Sequence, residues 1–150
     1  MRQIEFGLCQ HSVMWVDDHI FDDKWQNKFY METTAKSITN INVHFIPKIS
    51  TDAALIFLHS EFGQRLKNKS TFRIVTDMHR DNEYPPDNAG ARFLLGVRNL
   101  GFDCHCLVFT DRESEARKHL NKTIGKPQKR RIHVTESTKE LQKFVSFQDS

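Results

Sequence analysis

The chain has 150 residues, 38% of them hydrophobic and 27% charged, which supplies one globular core and excludes a wholly disordered polymer. No apolar run approaches the roughly 20 residues that cross a bilayer, and the opening MRQIEFGLCQ lacks the apolar centre of a secretory signal, so a cytoplasmic protein with no membrane role is expected. The formal net charge of +3 is mild, and much of the excess sits in residues 126–131 (KPQKRR); this reads as a solvated loop, because nucleic-acid binding calls for a broad basic stripe.

After a polar leader over residues 1–11, residues 12–16 (SVMWV) form a short β-prone run that stops at two acids, Asp17 and Asp18, which predicts a buried strand ending in a loop. Residues 22–38 place Trp25, Phe29, Ala35 and Ile38 at roughly helical intervals behind acids that favour a helix start. Ile41, Val43 and Phe45 then alternate with Asn42 and His44, the period of a strand with one more exposed face; an edge strand closed by Pro47 is predicted. Ser50-Thr51-Asp52 offers an N-cap to a helix over 53–66, with Ala54, Leu55, Leu58 and Phe62 on its apolar stripe.

Residues 72–76 (FRIVT) predict a third strand, ending at Asp77. A polar stretch with Pro85 and Pro86 leads to a helix over 89–100, stopped by Gly101. Residues 104–109 (CHCLVF) predict a fourth strand ending at Thr110, residues 112–121 a polar helix, residues 131–134 (RIHV) a fifth strand, and residues 137–145 a helix with a capping box. Cys104 and Cys106 flank His105 without a second ligand pair, a weak zinc signal, and with Cys9 they make an odd count that suits a reducing compartment.

Strands that alternate with helices, each link too long for a hairpin, predict a doubly wound α/β fold: a five-stranded parallel sheet in flavodoxin-like order 2-1-3-4-5, with helices on both faces. In that order the first and third strands are neighbours, and ligands bind beyond the carboxyl ends of the strands. Asp17, Asp18 and Asp77 would then converge, with Thr110 at the same end. Crowded carboxylates repel unless a cation neutralises them, and hard oxygen ligands select Mg²⁺ among common intracellular ions. One carboxylate, Asp77, is placed to act as a nucleophile toward a phosphoryl group.

These residues resemble a response-regulator receiver domain: VMWVDD for its first strand and acidic pair, FRIVTD for the strand carrying the phospho-acceptor, and CLVFT for the strand carrying the switch hydroxyl. The resemblance spans residues 12–147. It implies Asp17 and Asp18 as metal-binding acids, Asp77 as phospho-acceptor and metal ligand, the main-chain carbonyl of His79 as a further ligand, and Thr110 as the switch hydroxyl. It also implies a protein partner, either a histidine kinase or phosphotransfer protein as donor or a downstream effector.

Two departures mark a divergent branch. The family's Lys after the fifth strand is replaced by Thr135 or Glu136, and the segment over residues 77–90 (DMHRDNEYPPDNAG) is about five residues longer than usual, bringing Arg80 near the pocket as a possible phosphate partner. The family's aromatic switch position falls near Ile132 or His133. Three readings follow: a Mg²⁺-dependent phosphoryl switch at Asp77, a pseudo-receiver that binds its partner without phosphorylation, or a phosphohydrolase. The last needs a general acid, for which His79 and Asp81 are the available candidates.

Overall fold

A computed structural model describes residues 11–22 and 43–148. Strands β1 (His11–Val16), β2 (Val43–Lys48), β3 (Phe72–Thr76), β4 (His105–Phe109) and β5 (Ile132–Thr135) form one sheet in the order β2-β1-β3-β4-β5, and every pairing is parallel. The predicted fold class is the observed one. The helix expected over residues 22–38, apart from its first residue Asp22, and the residues Cys9 and Ile41 lie outside the described residues.

Alternation along the strands splits the core into two layers. Met14, Val16, Ile74, Cys106 and Val108 face one way and pack against helices α1 (Thr51–His59), α3 (Ala89–Asn99) and α4 (Glu113–Thr123). Val13, Trp15, Val75 and Leu107 face the other way and meet Leu141, Phe144 and Val145 of α5 (Thr138–Val145). Both faces of β1 are therefore covered, which explains why its sequence reads as a continuous apolar run rather than an alternating one. Trp15, Phe72, Phe93 and Phe102 are among the largest fully buried side chains, each of the size that contributes about 1.5–3 kcal/mol on burial.

Local chemistry sets the boundaries. β2 runs through Pro47 to Lys48 instead of closing at the proline; its edge position tolerates the missing N–H. The helix expected over 53–66 is broken at Ser60, whose backbone is extended and whose hydroxyl accepts from Gly63 N at 3.1 Å to start the short α2 (Glu61–Gln64). The break turns Phe62 off the predicted apolar stripe and leaves it 56% exposed. Gly63 lies so close to the preceding turn that a Cβ there would sit 2.1 Å from Phe57 O. Gly101 ends α3 with φ +91, the left-handed conformation that favours glycine. The KPQK segment forms a 3₁₀ turn, Lys126–Lys129, with no buried residue. No helix among the described residues is long and apolar enough to cross a membrane.

Candidate acidic site at the carboxyl ends of β1 and β3

Val16 pairs with Thr76 in the β1–β3 register, so the next residues, Asp17 and Asp77, leave the sheet level with each other. Asp18 joins them: one carboxylate oxygen from each of Asp17, Asp18 and Asp77 lies within 4.8 Å of the others, a grouping that can hold a metal ion. Asp17 Oδ1 accepts from His19 N at 2.9 Å and Asp18 Oδ2 accepts from Asp81 N at 2.9 Å, so backbone amides orient both acids. Burial drives the Asp77 carboxyl well above the usual carboxylate range; the Arg80 guanidinium pulls it back, and the charges of Asp17 and Asp18 push it up again. A cation among the three acids would relieve that penalty, and three carboxylate donors are a hard, oxygen-only set.

Arg80 is fully buried, with 0% exposure. Its Nε donates to Glu83 Oε2 at 2.5 Å; Nη1 donates to Thr76 Oγ1 at 2.9 Å and to Asp77 Oδ1 at 2.5 Å; Nη2 donates to Thr51 Oγ1 at 2.5 Å and to Ala89 O at 3.2 Å. A guanidinium has five N–H donors, and these five bonds use them all. Burying one positive charge is costly unless it is paired and hydrogen-bonded; here two carboxylates flank it. Arg80 thus makes an ion pair with Asp77 from within the loop that follows it, with every donor already committed to the protein.

The long loop is built around this side chain. Arg80 N donates to Pro86 O, and Gly90 N donates to Met78 O. Glu83 presents Oε2 to Arg80 and to Thr51 N at 2.9 Å, while Oε1 faces Arg92 Nη2 at 3.3 Å. Burial would raise the Glu83 carboxyl, yet the hydrogen bonds from Thr51 and Arg80 win and hold it below its ordinary range. Arg92 also bonds Pro85 O and Asn88, and Asn82 Nδ2 reaches Ile49 O at 2.9 Å. At Gly90 a Cβ would fall 2.1 Å from Asp77 O, so only glycine lets α3 begin directly against the Asp77 backbone.

Thr110 leaves the sheet beside Asp77's strand, but its hydroxyl turns onto its own loop and accepts from Arg112 N at 3.0 Å. It lines a cavity of about 400 Å³ together with Met78, His79, Asp87 and His119. At the end of β5, the Thr135 hydroxyl accepts from Ser137 N, and the exposed Glu136 that follows accepts from Glu113 N at 2.9 Å, serving the N-terminus of α4. His79 bonds Asp81 Oδ1 at 2.7 Å and Asp87 Oδ1 at 3.1 Å; the Asp81 bond raises its pKa most, against a smaller effect of burial, and Asp81 is lowered in return. His133 stacks on His105, with Nε2 3.1 Å from His105 Nδ1.

The sequence reading brought Asp17, Asp18, Asp77 and Arg80 to this site and missed Thr51, Thr76, Glu83 and Gly90. Thr51 was visible only as part of a helix start; Ser50 takes the N-cap, accepting from Ala53 N at 3.1 Å, which frees the Thr51 hydroxyl for Arg80. Gly90, in a loop that must turn straight into a helix, carried the one usable sequence signal among the four. No protein-family model matches the chain, and no curated protein is significantly similar to it.

Proposed function

We propose that this chain is a receiver-like signalling domain in which Asp17, Asp18 and Asp77 bind Mg²⁺ and Asp77 accepts a phosphoryl group from a histidine kinase or phosphotransfer partner. The observation that carries this reading is the acidic triad with Arg80 locked onto Asp77 Oδ1 at 2.5 Å. Holding one carboxylate oxygen leaves the other as the nucleophile, and the Asp77 side chain keeps 19% exposure through which a donor can approach. The carboxylate oxygen forms the new O–P bond as the donor's N–P bond breaks, and the bond's electron pair returns to the donor imidazole. Mg²⁺, when bound, supplies the positive charge that offsets the transferring phosphoryl group. Thr110 then leaves Arg112 N for the phosphoryl oxygens, altering the surface around β4, α4 and β5 that an effector reads.

A second reading, a module that recognises its partner without phosphorylation, is favoured by the same arginine. All five Arg80 donors are committed within the protein, and Glu136 stands where a cation would be expected. The readings separate on Mg²⁺ titration of the native chain and of Asp77→Asn, with and without beryllofluoride as phosphoryl mimic. Mimic binding that needs both Mg²⁺ and Asp77 supports the switch. Mg²⁺ binding without mimic binding leaves the phosphorylation-independent module.

A further inference from the structure

We propose that Asp18, His19 and Asp81 form a second metal site at the rim of the acidic pocket, for a first-row transition-metal ion of the Zn²⁺ or Mn²⁺ class. It shares Asp18 with the triad and does not depend on phosphorylation of Asp77.

Three ligand atoms face one another there: Asp18 Oδ1, His19 Nε2 and Asp81 Oδ2. His19 Nε2 is 3.6 Å from the first carboxylate and 3.8 Å from the second, and one atom from each of the three residues lies within 4.8 Å of the others. These separations are too long for hydrogen bonds, which span about 2.7–3.2 Å. They are close to the spacing that a bound ion imposes: with metal–ligand bonds of about 2.0–2.2 Å, tetrahedral geometry sets neighbouring ligand atoms about 3.3–3.6 Å apart.

Each ligand is also held from behind, through the atom that does not face the gap. His19 Nδ1 bonds Asp22 Oδ2 at 2.9 Å, the carboxylate–imidazole arrangement that fixes the ring and aims the Nε2 lone pair at a metal. Asp18 Oδ2 is held by Asp81 N at 2.9 Å, and Asp81 Oδ1 by His79 Nε2 at 2.7 Å, with His79 braced in turn by Asp87. One imidazole and two carboxylates make a mixed nitrogen and oxygen set, which favours a transition metal over Mg²⁺, whereas the triad offers oxygen alone. Water completes the coordination, because His19 is 56% and Asp81 72% exposed.

Zn²⁺ titration calorimetry on the full chain in excess Mg²⁺, read together with the imidazole NMR resonances of His19, tests the proposal. The native chain takes up Zn²⁺ with a shift of the His19 resonances. His19→Gln loses that uptake, Asp22→Asn weakens it about 10–100-fold, and Asp77→Asn, which disables the triad reading, retains it. Equal Zn²⁺ uptake by the native chain and His19→Gln, no uptake by the native chain, or unmoved His19 resonances would each overturn the site and leave a plain cluster of ion pairs.

Discussion

Two arginines bracket β3, and the protein treats them in opposite ways. Arg73, near the strand's start, lays its guanidinium over the rings of Phe144 and Phe147, 4.8 and 4.4 Å from their centroids, and donates to Phe144 O at 2.8 Å. Arg80, just past the strand's end, is enclosed by Asp77, Glu83 and two threonine hydroxyls. The first is a packing device that fastens α5 to the sheet through aromatic faces and one carbonyl. The second is a charge placed among charges, and its removal strands two carboxylates. The same residue type thus serves architecture at the amino end of the sheet and site electrostatics at the carboxyl end, where the fold gathers its acids.

Truncating both arginines is the sharpest way to break this comparison. Arg80→Met is expected to cost about 3–5 kcal/mol in urea unfolding, since it leaves buried carboxylate partners uncompensated; Arg80→Lys rescues only part, because an ammonium cannot span Asp77, Glu83 and Thr51 together. Arg73→Met, which keeps an apolar stem against the rings, is expected to cost about 1–2 kcal/mol. Equal losses at the two positions would refute the contrast.

Under the proposed reading, Mg²⁺ is expected to give the next largest effect, and at one end only. At a hundredfold excess over its Kd, bound Mg²⁺ should stabilise the native chain by about 2.7 kcal/mol, measured as a rise in Tm that persists in Arg73→Met and disappears in Asp77→Asn. The pH dependence follows from Asp77, whose folded pKa is raised by burial. A raised carboxyl favours the folded state when protonated, so its contribution to the metal-free protein improves as pH falls through the folded pKa and worsens as pH rises through it. The Mg²⁺-induced rise in Tm should therefore shrink on acidification, as protons compete for the same carboxylate. A Mg²⁺ effect that grew on acidification would show that Asp77 is not a ligand.

Gly90→Ala sharpens the picture by moving backbone alone. With Asp77 O 2.1 Å from the added carbon, α3 must shift away from the loop, at about 1–3 kcal/mol and with weakened Mg²⁺ binding. If Gly90→Ala lowered stability but left Mg²⁺ affinity unchanged, the close approach of α3 would concern packing rather than the placement of Asp77.

Much of the fold was legible because each strand falls, within a residue or two, where an apolar run is bounded by polar residues. β3 begins at Phe72 and ends before Asp77, as the apolar run that stops at an acid predicts, and α5 starts at a Ser137 hydroxyl that accepts from Glu140 N. The misreadings have local causes. Ser60 can cap a new helix as readily as continue an old one, so Phe62 was placed on a stripe that the chain abandons, and an edge strand absorbs Pro47 where a central strand could not. The acids of the site were legible because strand ends in a parallel sheet share one direction, so the adjacent Asp17 and Asp18 and the distant Asp77 are brought to one place by topology.

What surrounds those acids was decided by tertiary structure. Arg80 stands in a polar loop with prolines, a context in which arginine is ordinarily solvated, and nothing local requires its burial. Its charge partners Asp77 and Glu83 lie three residues to either side, but its enclosure is completed by Thr76 at the tip of β3, by Ala89 at the start of α3 and, 29 residues away, by Thr51 at the head of α1. Sequence by itself determined the order of elements, the direction of every strand and the convergence of Asp17, Asp18 and Asp77, since hydrophobic period and chain direction are local properties. The contact of Thr51 with Arg80, that of Asp81 with Asp18 and the close seat of Gly90 against the Asp77 backbone depend on segments that meet only after the sheet has formed, and no local pattern encodes such a meeting.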